Sequence, residues 1–122
     1  MLRLLIAAET DAERQAAGEL LAELGFSVTA CASALDAMAK CLAIRPEVVI
    51  IDADLEGALD LIANLRLMPD GKAVRVLYGV AQADLRKLME AKRAGADDFL
   101  LKPFEAKVLH ALFAEMLARA AA

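Results

Sequence analysis

Apolar residues along this chain follow two rhythms that alternate from end to end. Leu4-Leu5-Ile6-Ala7 is an unbroken apolar run, the pattern of a strand covered on both faces. Thr10-Asp11-Ala12-Glu13 follows at capping-box spacing, in which the Thr hydroxyl accepts from the amide three residues on and the Glu carboxylate reaches back. A helix is predicted from there to Leu24, with Ala17, Leu20, Leu21 and Leu24 on one face, and Gly25 suits the left-handed residue that ends it. Phe26-Ser27-Val28-Thr29-Ala30 alternates with period two and predicts a strand with one wetter side. A second helix starts at Ser33, and its expected apolar face is Leu35, Met38, Ala39 and Leu42. Pro46 interrupts. Val48-Val49-Ile50-Ile51 is the strongest strand signal, β-branched or apolar on both faces and therefore central.

The same alternation continues. After Asp52 a short loop, Ala53 to Gly57, leads to a helix carrying Leu61, Ile62 and Leu65. Pro69-Asp70-Gly71 reads as a turn, and Val74 to Tyr78 as the fourth strand. A helix from about Ala83 presents Leu85, Leu88 and Met89 and stops at Gly95. Phe99-Leu100-Leu101 is the fifth strand, and the last helix shows the stripe Val108, Leu109, Leu112, Phe113, Met116, Leu117 before an end expected to fray. Five strands alternating with five helices predict an open parallel α/β sheet, because each helix is a crossover between parallel strands. Ligands of such sheets bind beyond the carboxyl ends of the strands. The residues there are Glu9 after the first strand, Asp52 and Asp54 after the third, Gly79-Val80-Ala81 after the fourth and Lys102-Pro103 after the fifth. Carboxylates at that edge suit a hard divalent cation, and a lysine opposite them suits an anion.

Composition narrows the class. At 122 residues there is room for one domain, taken here as 1–122, and 28 alanines account for much of the 60% hydrophobic content. No apolar run exceeds Leu4–Ala8, far short of the roughly 20 residues that span a membrane. Net charge is −4, against the basic face that nucleic-acid binding requires. Cys31 and Cys41 lack metal-ligand spacing and read as two reduced thiols of a cytoplasmic protein. There is no GxGxxG, P-loop or GxSxG, so turnover chemistry is not expected.

Val48-Val49-Ile50-Ile51-Asp52, Ala94-Gly95-Ala96-Asp97-Asp98-Phe99 and Leu101-Lys102-Pro103-Phe104, at this separation, make the whole chain resemble the receiver domain of two-component response regulators. The resemblance implies a flavodoxin-like (CheY-like) (βα)5 three-layer sandwich with strand order 2-1-3-4-5. It implies that Asp52 accepts a phosphoryl group from a histidine kinase or phosphotransfer protein, and that Lys102 pairs with the acceptor and then with the phosphoryl oxygens. It further implies a Mg²⁺ ion held by Glu9, by Asp52 and by the backbone carbonyl of Asp54, whose side chain is a further candidate ligand. A Lys102-Pro103 bond that is cis, a downstream effector or fused output domain, and pairing of two copies also belong to the family's pattern. Where relatives have two acids after the first strand, this chain has Ala8 and then Glu9. Where they have a hydroxyl after the fourth strand, it has Val80, and the aromatic switch position is Phe99, without a phenol. The loop after Asp52 also aligns as two residues short. Two readings therefore stand side by side: a phosphorylated receiver, and a pseudo-receiver that binds proteins without phosphate. His110 reads as an exposed helical residue, Met38, Met68, Met89 and Met116 as core filling, and Arg86-Lys87 with Lys92-Arg93 as a solvated basic cluster that could serve as an interaction face.

Overall fold

The computed structural model describes residues 1–122. Its elements are β1 (Arg3–Ala7), α1 (Asp11–Leu24), β2 (Ser27–Cys31), α2 (Ala34–Ile44), β3 (Val48–Asp52), α3 (Ala58–Leu67), a short 3₁₀ turn (Gly71–Ala73), β4 (Arg75–Val80), α4 (Leu85–Ala94), β5 (Asp98–Leu101) and α5 (Ala106–Ala121). All strand pairs are parallel, and the sheet order is β2-β1-β3-β4-β5. The expected three-layer α/β sandwich is therefore the fold.

Strand parity divides the interior in two. Leu5, Ala7, Val49, Ile51, Val76, Tyr78 and Val80 point into one core with Ala37, Cys41, Leu61, Ile62, Leu65 and Ala91, from α2, α3 and α4. Leu4, Ile6, Val48, Ile50, Leu77 and Leu100 point into the other with Ala17, Leu21, Leu109 and Phe113, from α1 and α5. All five residues of β3 are buried, as its β-branched run required. Phe26 lies before β2 rather than in it, buried edge-on against Phe113 at 5.0 Å between ring centroids.

Two helix faces differ from expectation. On α2 the buried residues are Ala37 and Cys41, flanked by Ala34, Met38 and Ile44, while Leu35 is 84% exposed and Leu42 is 50% exposed. The helix is apolar almost all round, so two stripes fit helical periodicity, and size pointed to the wrong one. On α4, Ala91 is buried and Leu88 half-buried, but Leu85 is largely exposed and Met89 about half exposed, because the helix turns only its Leu88, Ala91 and Ala94 edge to the core. Val108 of α5 is likewise half exposed. Strand β4 runs on through Gly79 and Val80, which the sequence placed in a loop. The C-terminus stays helical to Ala121, and His110 is exposed as anticipated. No helix is long and apolar enough to cross a membrane.

Candidate functional site

Asp52 ends β3 in register with Gly79 of β4 and has the parity of Val48 and Ile50, so its side chain faces the layer built by α1 and α5. It is the one buried charged residue of the chain, 4% exposed. Its Oδ1 accepts from the Lys102 ammonium at 2.8 Å and from the Asp54 amide at 3.0 Å, and its Oδ2 is buried without a donor.

Lys102 is aimed by the sheet. Its amide donates to the Val80 carbonyl, continuing the β4–β5 ladder, and the Lys102-Pro103 bond is cis, as the resemblance implied. The ammonium reaches three carboxylates: Asp52 Oδ1 at 2.8 Å, Asp54 Oδ2 at 3.2 Å and Glu13 Oε2 at 3.2 Å. Burial by itself would lower its pKa, but the hydrogen bonds to Asp52, Asp54 and Glu13 outweigh burial and hold it well above the ordinary lysine range. For Asp52, burial favours the neutral acid. The hydrogen bonds it accepts from Lys102 and the Asp54 amide, together with the Lys102 charge, win, so it titrates below the usual carboxylate range.

Glu13 is the site residue that the sequence reading missed. Its position as the third residue of α1 made it a cap, and the cap is real: its amide donates to the Thr10 hydroxyl at 3.2 Å. Yet its Oε2 turns inward to Lys102. The available signal was parity, since Asp52 faces the same layer as the first turn of α1. Glu9, by contrast, is exposed and its side chain makes no hydrogen bond or ion pair. The end of β1 is tied down instead by Arg14, whose guanidinium donates to the carbonyls of Ala8 at 2.6 Å and Glu9 at 2.9 Å and pairs with Asp11.

Around this cluster the small side chains of α1 leave a cavity of about 420 Å³, lined by Ile6, Ala8, Ala12, Ala16, Leu20 and Phe104 among others, with Asp52, Glu13 and Lys102 at its polar end. Gly79 lets the Phe104 ring approach, since a Cβ there would stand 3.3 Å from it. Val80 is buried, 2% exposed, and Phe99 is half-buried against the α2–α4 core.

A Mg²⁺ ion takes oxygen ligands in near-octahedral geometry, usually one or two carboxylates with waters. Here Asp52 offers one free oxygen. Its other oxygen and those of Asp54 and Glu13 facing it already accept from an ammonium, and Glu9 points to solvent. The arrangement present does not fit the ion.

The sequence model of the response regulator receiver domain matches residues 4–114. The chain is 34% identical over 115 residues to the transcriptional regulatory protein CseB of Streptomyces coelicolor, covering 94% of this chain and 49% of that protein. It is 30% identical over 114 residues to the chemotaxis protein CheY of Listeria monocytogenes, covering 92% and 96%. The chain thus spans about half the length of the first and nearly all of the second. The receiver domain of the sensor histidine kinase PA1611 from Pseudomonas aeruginosa, solved with a magnesium ion in its active-site cleft, superposes with TM-score 0.85 at 21% identity, covering 96% of this chain and 98% of that one. That similarity is one of fold.

Proposed function

We propose, since the chain belongs to the response regulator receiver domains of two-component signalling, that Asp52 is its phosphoryl acceptor. The observation that carries this reading is the buried Asp52 carboxylate with one oxygen fixed by Lys102 and the other free. A fixed Oδ1 orients the group, and the unpartnered Oδ2 keeps a lone pair for attack. Oδ2 would bond to phosphorus as the bond from phosphorus to the donor nitrogen of a phosphohistidine, or to the acyl oxygen of a small acyl phosphate, breaks. The departing imidazole takes a proton from solvent. Lys102 gives charge-assisted hydrogen bonds to the phosphoryl oxygens in place of those it now gives Asp52. The donor is then a histidine kinase or phosphotransfer protein, and the output is an effector protein or a fused domain. The setting is the cytoplasm, and the chain performs no turnover beyond its own phosphorylation and dephosphorylation. Mg²⁺ at Glu9, Asp52 and Asp54 would require Glu9 to swing inward and Lys102 to give way.

A second reading has its own support. Val80 offers no hydroxyl to a phosphoryl group and Ala8 no carboxylate, so a phosphate-independent interaction module with the same fold is the alternative. Incubation with acetyl phosphate separates the two. The mass increment of one phosphoryl group, lost in Asp52→Ala, supports the acceptor, and no increment under any metal condition supports the interaction module.

A further inference from the structure

We propose that this chain carries its own cation: the Lys102 ammonium, backed by the Arg14 guanidinium, holds the place of a divalent metal, and the acidic site does not take up Mg²⁺. The consequence for phosphoryl transfer rests on the reading of Asp52 as acceptor; the occupancy itself does not.

Three observations carry it. First, a lysine has three N–H donors, and each meets a carboxylate from a different element: Asp52 at the end of β3, Asp54 in the loop after it and Glu13 in α1. The ammonium is thus coordinated by oxygen on its open side much as a small ion would be. Second, the strand end that should supply metal ligands supplies none. Ala8 is 2% exposed with its side chain on the apolar cavity, Glu9 faces solvent, and both carbonyls are taken by Arg14. Third, the free Asp52 Oδ2 belongs to the same carboxylate whose Oδ1 binds the ammonium, so a divalent ion there would stand a few ångströms from Nζ. In a cleft walled by Ile6, Ile50 and Phe104 that repulsion is weakly screened. Lys102 gives way only by leaving, because its ammonium is held from three sides by hydrogen bonds to Asp52, Asp54 and Glu13.

The test follows melting of the whole chain as MgCl₂ is raised to ~10 mM at constant ionic strength, beside the Lys102→Met and Lys102→Gln variants. Wild-type melting is expected to stay unchanged, and both variants, with three acids and no ammonium, to gain a saturable rise of roughly 3–6 °C. A saturable rise in wild type, or no gain in either folded variant, overturns the proposal. Should the variants not fold, substoichiometric Mn²⁺ added to wild type decides: the amide resonances of residues 52–54 should keep their intensity, and their selective loss refutes the built-in cation. Acetyl phosphate labelling is scored separately. If labelling is absent, the acceptor reading fails and the metal result stands. Labelling that Mg²⁺ alone enables keeps the acceptor and overturns the present inference; labelling that survives chelation supports both.

Discussion

The Lys102 ammonium lies 2.8 Å from Oδ1 of Asp52, fifty residues earlier in the chain, and this pair joins the central strand to the end of the fifth. Removing the cation leaves a nearly buried carboxylate without its partner. Lys102→Met is therefore expected to lower stability at neutral pH by about 3 kcal/mol, read by urea denaturation. Asp52 titrates below its unfolded value, so its share of that stability is complete above about pH 4 and fades as pH falls toward the folded value. Lys102 titrates above its unfolded value, so its share is complete below about pH 10 and fades as pH rises through the folded value. The gap between wild type and variant should be flat from about pH 5 to pH 9 and narrow outside that window. A gap that changes steadily across neutral pH would refute the assignment.

Arg66 is expected to matter more than its place near a helix end suggests. Its guanidinium donates to the carbonyls of Gly95 at 2.6 Å, Gly71 at 2.8 Å and Val74 at 2.6 Å, and to Asp97 at 2.8 Å, with its side chain 16% exposed. Asp97 in turn accepts from the Val76 amide at 2.9 Å. Asp97, in the Ala94–Phe99 block, thus fastens β4 to the approach of β5. Arg66→Met strands several half-buried carbonyls and should cost about 2–4 kcal/mol in denaturant titrations, with the fold retained.

Val80→Thr tests the missing hydroxyl. The site is buried, so the unmodified variant should lose about 1–2 kcal/mol as the hydroxyl is desolvated. If Asp52 accepts phosphate, the same hydroxyl gains a bond to a charged group worth roughly 1.5–3 kcal/mol. Beryllofluoride should then raise the melting temperature of the variant more than that of wild type. Equal shifts would place the phosphoryl oxygens out of reach of residue 80.

Cys31 and Cys41 are free and buried, and burial pushes both thiols up to about 11, helped for Cys31 by the Asp36 charge. At pH 8 neither is a thiolate. A thiol reagent should leave the native chain unlabelled over minutes and label both residues once urea unfolds it. Rapid native labelling of either would mean that its core opens readily.

Legibility from the sequence varied from element to element for identifiable reasons. Val48–Ile51 announced a central strand because its β-branched side chains suit a position covered from both sides, and all are buried. The buried face of α2 was misread, since Leu35 and Leu42 satisfy the same period as Ala37 and Cys41 and only the neighbouring α3 and sheet distinguish them. Asp52 and Lys102 were found from their places at strand ends. Glu13 was read as a helix cap because a cap is local and the contact with Lys102 is not.

The sequence by itself determined the succession of strands and helices, the strand ends where chemistry collects, and the absence of an acid at residue 8 and a hydroxyl at residue 80. These depend on residue type and on neighbours a few positions away. The tertiary structure alone decided that Asp52 turns toward α1, that Glu13 joins it there, that Glu9 does not, and that one ammonium closes three carboxylates. Those outcomes depend on strand parity, on the hand of the crossovers and on the reach of side chains far apart in sequence, and a one-dimensional pattern carries none of the three.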